Sequence, residues 1–270
     1  MSSLAKSLRK YIRVYYHLLK INLISQLEYR SNFFVGFIVE SGFLFTKIMY
    51  LVVLYNVDVT INGYSPDHMM LYVGTFSIVT AFYTGFIMIN FYEIPGHVKN
   101  GTLDMFITKP ISTQFLVTLR KSNFALAMSN LIGGIVMVII ACSRIGGEID
   151  AYNLIGYLAL IICGIVMSYA LFLLPQLLSF WVVETKALIG LADRAWDFNT
   201  MPMVIFPKWF QRIGTFILPI FAISNFPPML LAGHMKIYLI IWAVASPFLF
   251  LYLVSKLWNI AIRSYTSASS

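Results

Sequence analysis

Several stretches of this chain stay apolar for about twenty residues, and this feature restricts its fold more than any other. The hydrocarbon core of a bilayer is roughly 30 Å thick, a distance that about 20 residues of helix can cross. Of the 270 residues, 59% are hydrophobic and 11% are charged, whereas about a quarter of the residues in soluble domains are charged. In lipid every backbone polar group needs an internal partner, so such segments cross as helices. The sequence therefore predicts an all-α membrane protein with about six transmembrane helices, near residues 33–55, 69–91, 116–142, 152–182, 187–206 and 237–261.

Residues 1–30 predict an amphipathic helix at the cytoplasmic surface of the membrane. Apolar and basic side chains recur at helical spacing on two different faces. The apolar face carries Leu8, Ile12, Tyr15, Leu19 and Leu23, and the basic face carries Lys6, Lys10, Arg13, His17 and Lys20. A helix with two such faces lies in the plane of the membrane interface. The alternative is a packed helix with an ordinary solvated face. Residues 31–270 are predicted to form a single transmembrane domain.

The basic residues predict the orientation of the chain. Cytoplasmic segments of membrane proteins carry an excess of Lys and Arg, and an inward amino terminus gives that excess. Inside would lie Lys6, Arg9, Lys10, Arg13, Lys20, Arg30, Lys99, Lys109, Arg120, Lys121, Lys186, Arg194, Lys256 and Arg263, against Arg144, Lys208, Arg212 and Lys236 outside. Because these residues flank apolar runs, the net charge of +8 predicts no nucleic-acid partner. We expect a multi-pass protein of a bacterial plasma membrane with both termini in the cytoplasm.

The region 207–234 is apolar but rich in proline, which makes one uninterrupted crossing helix improbable. Prolines at 207, 219, 227 and 228 divide it. We expect a re-entrant pair of short helices on the outer side. Such a hairpin persists at membrane depth only where neighbouring protein or a water-lined cavity satisfies its backbone groups.

The loop from Glu93 to Ser112 is predicted to face the cytoplasm and to present a short helix there. Asn100 and Gly101 permit a sharp turn, and Thr102 is placed to cap the helical turn that follows. Pro110 ends the helix. The helix would offer one apolar face, formed by Leu103, Phe106 and Ile107.

The loop GHVKNGTLDMFITKP resembles the loop between the second and third spans in membrane subunits of type-2 ABC exporters. The segments SFWVVE and MPMVIFPKWFQRIGTFILPIFAISNFPPMLLAG are similar to the later half of the same family. In that family the loop helix is a coupling helix that docks in a cleft of a separate ATPase. The resemblance gives this role to Gly101, Thr102, Leu103, Asp104, Phe106, Lys109 and Pro110. The alternative is a structured hairpin that merely connects two spans.

The resemblance also implies a function and a set of partners. The chain would be the permease half of an exporter for a hydrophobic or amphipathic cargo, such as a drug, a lipid or a peptide. Its partners would be a cytoplasmic ABC ATPase, a second permease subunit that is identical or related, and membrane lipid. No phosphate-binding motif of the form G-x-x-x-x-G-K-[ST] occurs in the sequence, so ATP and Mg would be bound by the ATPase and no cofactor by this chain. The chain is not expected to be catalytic by itself, and no metal site is expected.

Ionisable residues inside the predicted spans are the remaining candidates for function, because they are costly against lipid. Glu40 and Lys47 lie two helical turns apart on one face of the first span. They either pair structurally or form a polar patch in the cargo path. Asp193, Arg194 and Asp197 lie in the fifth predicted span, either at a solvated helix end or at a gate.

Two other functions compete with the ABC permease. A secondary transporter would show inverted repeats and several ionisable groups at mid-membrane. A channel would show a selectivity filter. We find none of these signatures in the sequence, and either alternative would work without an ATPase partner.

Overall fold

A computed structural model describes residues 3–57, 60–145, 150–182, 184–233 and 235–266. Residues 1–2 and 267–270, at the ends of the two predicted segments, lie outside this description. His234, at the end of the predicted re-entrant region, lies outside it as well.

The described part of the chain is built from helices, which confirms the prediction of an all-α membrane protein. In chain order they are α1 Ser3–Glu28, α2 Arg30–Val57, α3 Pro66–Phe82, α4 Ile94–Lys99, α5 Asp104–Ile107, α6 Thr113–Leu119, α7 Phe124–Ile145, α8 Ala151–Leu177, α9 Lys186–Asp197, α10 Lys208–Arg212, α11 Phe226–Leu231 and α12 Ile237–Ser264. Helix α3 continues through a π-helical turn, Tyr83–Met88, and a last turn, Ile89–Phe91.

Within the described residues, five helical segments are long and apolar enough to cross a membrane. They are Arg30–Val57, Pro66–Lys99, Phe124–Ile145, Ala151–Phe180 and Ile237–Ser264. The second segment has 34 residues, or about 51 Å at 1.5 Å per residue, which exceeds a hydrocarbon core of roughly 30 Å. Its last part, helix α4, therefore continues past the crossing portion.

The predicted fifth span, residues 187–206, is not one continuous helix. Helix α9 has 12 residues, about 18 Å of length, which is too short to cross alone. Pro202 follows and holds Met201 in an extended conformation. The segment nevertheless runs antiparallel along α3, with contacts in the order Asp193–Tyr92, Trp196–Tyr83, Asn199–Tyr72 and Val204–Asn62. In place of the predicted fifth crossing helix the chain forms a helix followed by irregular turns, and this part is not among the five segments long and apolar enough to cross.

The predicted third span, residues 116–142, begins later in the structure, because the chain turns between α6 and α7. The Asn90 side chain accepts from the Lys121 backbone N–H and donates to the Lys121 carbonyl, each at 2.8 Å. The backbone N–H of Asn123 donates to the carbonyl of Gly85 at 2.6 Å. These long-range bonds interrupt the helix, so the crossing helix α7 starts at Phe124.

Helices α3 and α7 form the most extensive contact in the described fold. They approach closely at Gly134, where a Cβ atom would lie 2.8 Å from the Gly74 carbonyl oxygen. Only glycine fits such a backbone contact. Helix α3 is buried on nearly all sides, and α2 packs along the α3–α7 pair by one face.

The proline-rich region forms two short helices, with the 3-10 turn Ile220–Ala222 between them. Lys208–Arg212 continues into a π-helical turn, Ile213–Ile217, and α11 follows after Pro219. Ile223 is fully buried, and its carbonyl oxygen lies so close to Gly164 of α8 that a Cβ there would be 2.1 Å away. One backbone carbonyl of this region has a protein partner, since the Trp242 indole N–H donates to the Thr215 carbonyl at 2.7 Å. The location of this hairpin on the outer side remains a prediction.

Candidate functional sites

The loop between α3 and α6 is compact and folded. Helix α4 ends at Lys99, and Gly101 turns the chain with a φ of 71°, a conformation that favours glycine. The single helical turn α5 follows. The predicted turn and short helix therefore lie where the sequence indicates.

The apolar residues of α5 do not form one exposed face, which corrects the prediction. Leu103 is fully buried and Phe106 nearly so, and both pack into the main hydrophobic core. Ile107 is 42% exposed and Met105 is 61% exposed. The turn therefore points Leu103 and Phe106 inward and leaves Met105 and Ile107, with the exposed Lys109 and Pro110, on the free surface.

Thr102 does not cap the loop helix, although the sequence suggested this role. Its hydroxyl lies 2.8 Å from Nδ1 of His97 in α4. The residue at the capping position just before α5 is Leu103, which makes no side-chain capping bond. Thr102 and Gly101 are half-buried, so they stabilise the shape of the loop and contribute little exposed surface.

A charged cluster joins the base of the loop to the chain that follows it. Glu93 forms ion pairs with Lys121 and, at 3.6 Å, with Arg120, and Nε2 of His97 lies 3.7 Å from the Glu93 carboxylate. The Arg120 guanidinium also lies 5.0 Å from the centre of the Phe106 ring. The sequence pattern does not predict this cluster. Its only sequence signal is an acidic residue just after one apolar run and a basic pair near the start of the next.

Asp104 connects the loop to the end of α12. Its carboxylate interacts with the phenol of Tyr265, the residue that follows α12. Burial raises the pKa of Tyr265, and the nearby Asp104 raises it further. The phenol is therefore neutral at physiological pH, since an unperturbed tyrosine already has a pKa of about 10. The Asp104 carboxylate therefore lies near Tyr265, just after the end of α12.

Glu40 and Lys47 are brought together by a third residue, Asn130 of α7. The Asn130 amide donates to Glu40 at 2.7 Å and its carbonyl oxygen accepts from Lys47 at 3.2 Å. Lys47 also donates to Ser77 of α3 at 3.3 Å and lies 5.0 Å from the centre of the Phe76 ring. Both charges therefore face protein, and the structural pairing predicted from their spacing takes the form of an amide bridge.

Lys47 also borders a cavity of about 310 Å³ between α2, α3 and the interrupted fifth crossing. Such a volume is at the lower end of the range for small-molecule sites. Apart from Lys47, the lining is mainly apolar and aromatic: Phe43, Thr46, Tyr50, Val73, Phe76, Thr200 and Met201. The two interpretations of Lys47, structural and path-lining, are therefore compatible.

The three ionisable residues of α9 point in different directions. Asp193 accepts a hydrogen bond from Tyr92 of the α3 segment at 2.8 Å. Arg194 and Asp197 are exposed, three residues apart. The neighbouring Trp196 contacts Phe76 and Tyr83 of the α3 segment. Asp197 is the last residue of α9, so both interpretations of these charges, a solvated helix end and a gate, stay open.

Among the described residues, no group of three or more His, Cys, Asp and Glu side chains is placed to hold a metal ion. In a comparison with known families, residues 42–269 match the model described as ABC-2 family transporter protein. Neither a curated protein nor a solved structure matches the chain.

Proposed function

Because the chain belongs to the ABC-2 family of transporters and is thus a membrane permease of an ABC transporter, we propose that it exports a hydrophobic or amphipathic cargo. A drug, a lipid or a peptide leaving the cytoplasm or the inner leaflet fits this proposal. Family membership implies an ABC ATPase as partner. In the proposed assembly that ATPase binds ATP and Mg, and two permease subunits together form the cargo path.

The observation that carries the proposal is the surface of the loop between α3 and α6. Met105 and Ile107 are exposed beside Lys109 on a hydrogen-bonded turn. An apolar pair with a flanking cation is suited to a shallow cleft on a soluble partner. We assign the contact with the ATPase to this surface, and the anchoring of the loop to Leu103 and Phe106.

The loop is also joined to the crossing helices in a way that supports coupling. Its buried anchors pack into the core, Glu93 pairs with Arg120 and Lys121, and Asp104 interacts with Tyr265. A displacement of Met105 would therefore be transmitted through packed and ion-paired residues to α3 and to the segment before α7. The nearby Asp104 and Tyr265 would extend it toward the end of α12. Closure of the ATPase around ATP would move these helices together and alternate the access of the cavity.

The exposed charges of α9 support a second permease subunit and a polar path. Arg194 and Asp197 are costly against lipid at membrane depth. A facing subunit or a water-filled cavity between two subunits would remove that cost. The Lys47 cavity lies at the same fifth crossing, since Thr200 and Met201 line it. We assign the cargo path to this side of the molecule.

The proposal is tested by purification of the tagged chain from its native membrane in mild detergent. An ABC ATPase and a second permease chain, identical or related, should copurify. The variant Met105→Ala/Ile107→Ala should lose the ATPase or lose transport-coupled hydrolysis. Trp209→Ala, at a residue of similar exposure (63% against 61% for Met105), is the matched control and should retain both.

The competing functions make a different prediction for the purified chain. A secondary transporter or a channel would move solute in vesicles that contain only this chain and no nucleotide. Such activity, together with the absence of any copurifying ATPase, would overturn the proposal.

A further inference from the structure

A second cavity, of about 550 Å³, lies between α1, α6, α8 and α12. It is separate from the Lys47 cavity and from the exposed surface of the loop helix. Its wall is mainly apolar and includes Phe115, Leu119, Ile165, Val166 and Leu251. A cavity of this size is within the range of small-ligand sites. An elongated apolar group is the ligand that such a wall favours.

Polar groups occur at the α1 and α6 side of this cavity. The Tyr11 hydroxyl accepts from the backbone N–H of Ser112 at 3.2 Å. Gln114 donates to the hydroxyl of Tyr169 at 3.1 Å. The cavity therefore has one polar side next to α1 and an apolar remainder, which is the division that an amphipathic ligand requires.

Cations are concentrated on the helix that provides this polar side. Lys10 precedes Tyr11, and its ammonium group donates to the carbonyl of Pro110, which leaves further N–H donors on the same group. Five more basic residues are exposed on α1: Lys6, Arg9, Arg13, His17 and Lys20. Glu28 is the first acidic residue of the sequence, and the ion pairs of the described residues do not involve any of these cations. Helix α1 thus carries uncompensated positive charge.

Helix α1 has three faces in the structure. One packs against the chain after the loop, where Asn22 donates to the Arg120 carbonyl at 2.8 Å and Gln26 accepts from the Phe124 N–H at 2.9 Å. A second face is apolar but exposed, with Leu8 and Ile12 about 60% accessible. The third is the basic face. An exposed apolar stripe beside a basic stripe is the arrangement of a helix that lies on an anionic membrane surface.

We propose that the cavity beside Tyr11 binds one anionic phospholipid of the leaflet on which α1 lies. An acyl chain occupies the apolar part of the cavity, and Lys10, next to Tyr11, holds the phosphate. Arg13 and the other residues of the basic face raise the positive potential around that phosphate without contacting it. The charge complementarity selects an anionic over a zwitterionic head group. Because α1 is bonded to the chain on both sides of α6, the bound lipid also stabilises the position of that segment; an effect on transport coupling rests on the proposed function.

The test uses the purified full-length protein and added lipids of identical acyl chains, with bound lipid counted by native mass spectrometry. Phosphatidylglycerol should be retained in preference to phosphatidylcholine. Lys10→Gln and Arg13→Gln should each reduce this preference, by about fivefold for each charge removed, since one basic residue near an anionic surface contributes about 1 kcal/mol. Ile165→Trp should reduce retention of both lipids by filling the cavity.

Matched controls keep the result interpretable. Lys208→Gln and Arg212→Gln remove the same charge from α10, which does not line the cavity, and should leave the preference unchanged. Thermal unfolding of each variant checks that the chain remains folded. Equal retention of the two lipids by the unaltered protein would overturn the proposal, as would an unchanged preference in Lys10→Gln/Arg13→Gln. Displacement by glycerol 3-phosphate without acyl chains would identify a free-phosphate site and would also refute it.

Because the readout is lipid retention, it does not depend on the ATPase. Loss of the ATPase from the purified complex with preserved lipid selectivity would refute the proposed function alone. Retention of the ATPase together with loss of the lipid selectivity would refute the lipid site alone.

Discussion

Helices α2 and α3 are both apolar enough to cross a membrane, yet their surroundings differ almost completely. Of the most apolar window of each segment, 6% is buried for Arg30–Val57 and 72% for Pro66–Lys99. In α2 only Leu51 is fully buried, whereas in α3 nearly every residue is. Apolarity alone thus predicts that a helix crosses, but it does not predict whether protein or lipid covers it.

The polar residues of the two helices explain the difference further. Helix α2 turns Glu40 and Lys47 toward Asn130 and leaves its other side to lipid or to a partner. Helix α3 buries Thr75 and Thr80, each of which donates to a carbonyl one turn earlier at 2.7 Å. Helix α3 is therefore the centre of the described fold, and α2 is a peripheral element held by a few polar contacts.

The largest expected effect is on the close contact of α3 with α7. Gly134→Ala would place a Cβ atom 2.8 Å from the Gly74 carbonyl, and overpacking of this kind costs about 3 kcal/mol. Gly42→Ala on α2 is the control, since nothing lies within 4 Å of its Cβ position. Thermal unfolding in detergent should show a large decrease in melting temperature for Gly134→Ala and little change for Gly42→Ala. Equal losses would mean that α2 is as closely packed as α3.

The same contrast between covered and uncovered positions exists within the loop. Leu103→Ala should destabilise the protein by about 3 kcal/mol, because it empties a buried site. Met105→Ala should leave stability unchanged but reduce ATP hydrolysis coupled to transport. For each variant, stability is measured by thermal unfolding and coupled ATP hydrolysis by an ATPase assay on the same preparation. Unchanged stability in Leu103→Ala would contradict the inward orientation of that residue.

A smaller effect is expected where α2 is attached to α7. Asn130→Leu removes the bridge between Glu40 and Lys47, and unsatisfied polar groups of this kind cost about 2 kcal/mol. Asn56→Leu changes an exposed amide of α2 and should lower the free energy of unfolding much less. If the two variants unfold at the same temperature, the bridge does not attach α2.

The smallest effect on folding is expected on the uncovered face of α2. Ile38 is 65% exposed, so Ile38→Ala should change the stability of one subunit by no more than about 0.5 kcal/mol. Ile78→Ala on α3, at a buried residue, is its counterpart and should cost about 3 kcal/mol. If a second permease subunit covers α2, Ile38→Ala should shift purified protein toward the monomer in mass photometry. An unchanged dimer fraction would exclude Ile38 from the interface.

The crossing helices can largely be predicted from the sequence, because length and apolarity suffice to identify them. The turn before α7 cannot, since Asn90, about thirty residues earlier, holds it through bonds to Lys121. The orientation of α5 is equally hidden, because a helix of four residues is too short for periodicity to distinguish Leu103 from Met105. The bridge at Asn130 depends on a contact across ninety residues, which spacing within α2 does not indicate.

The central claim is that the loop carrying Met105 lies in the cytosol and contacts the ATPase. Its most direct test is Met105→Cys in a chain whose Cys142 and Cys163 are replaced by serine, labelled with a membrane-impermeant maleimide. Met105→Cys should remain unlabelled in intact cells and become labelled in inside-out vesicles. In those vesicles the bound ATPase should protect it from the label. Labelling of Met105→Cys in intact cells would place the loop outside and contradict the account.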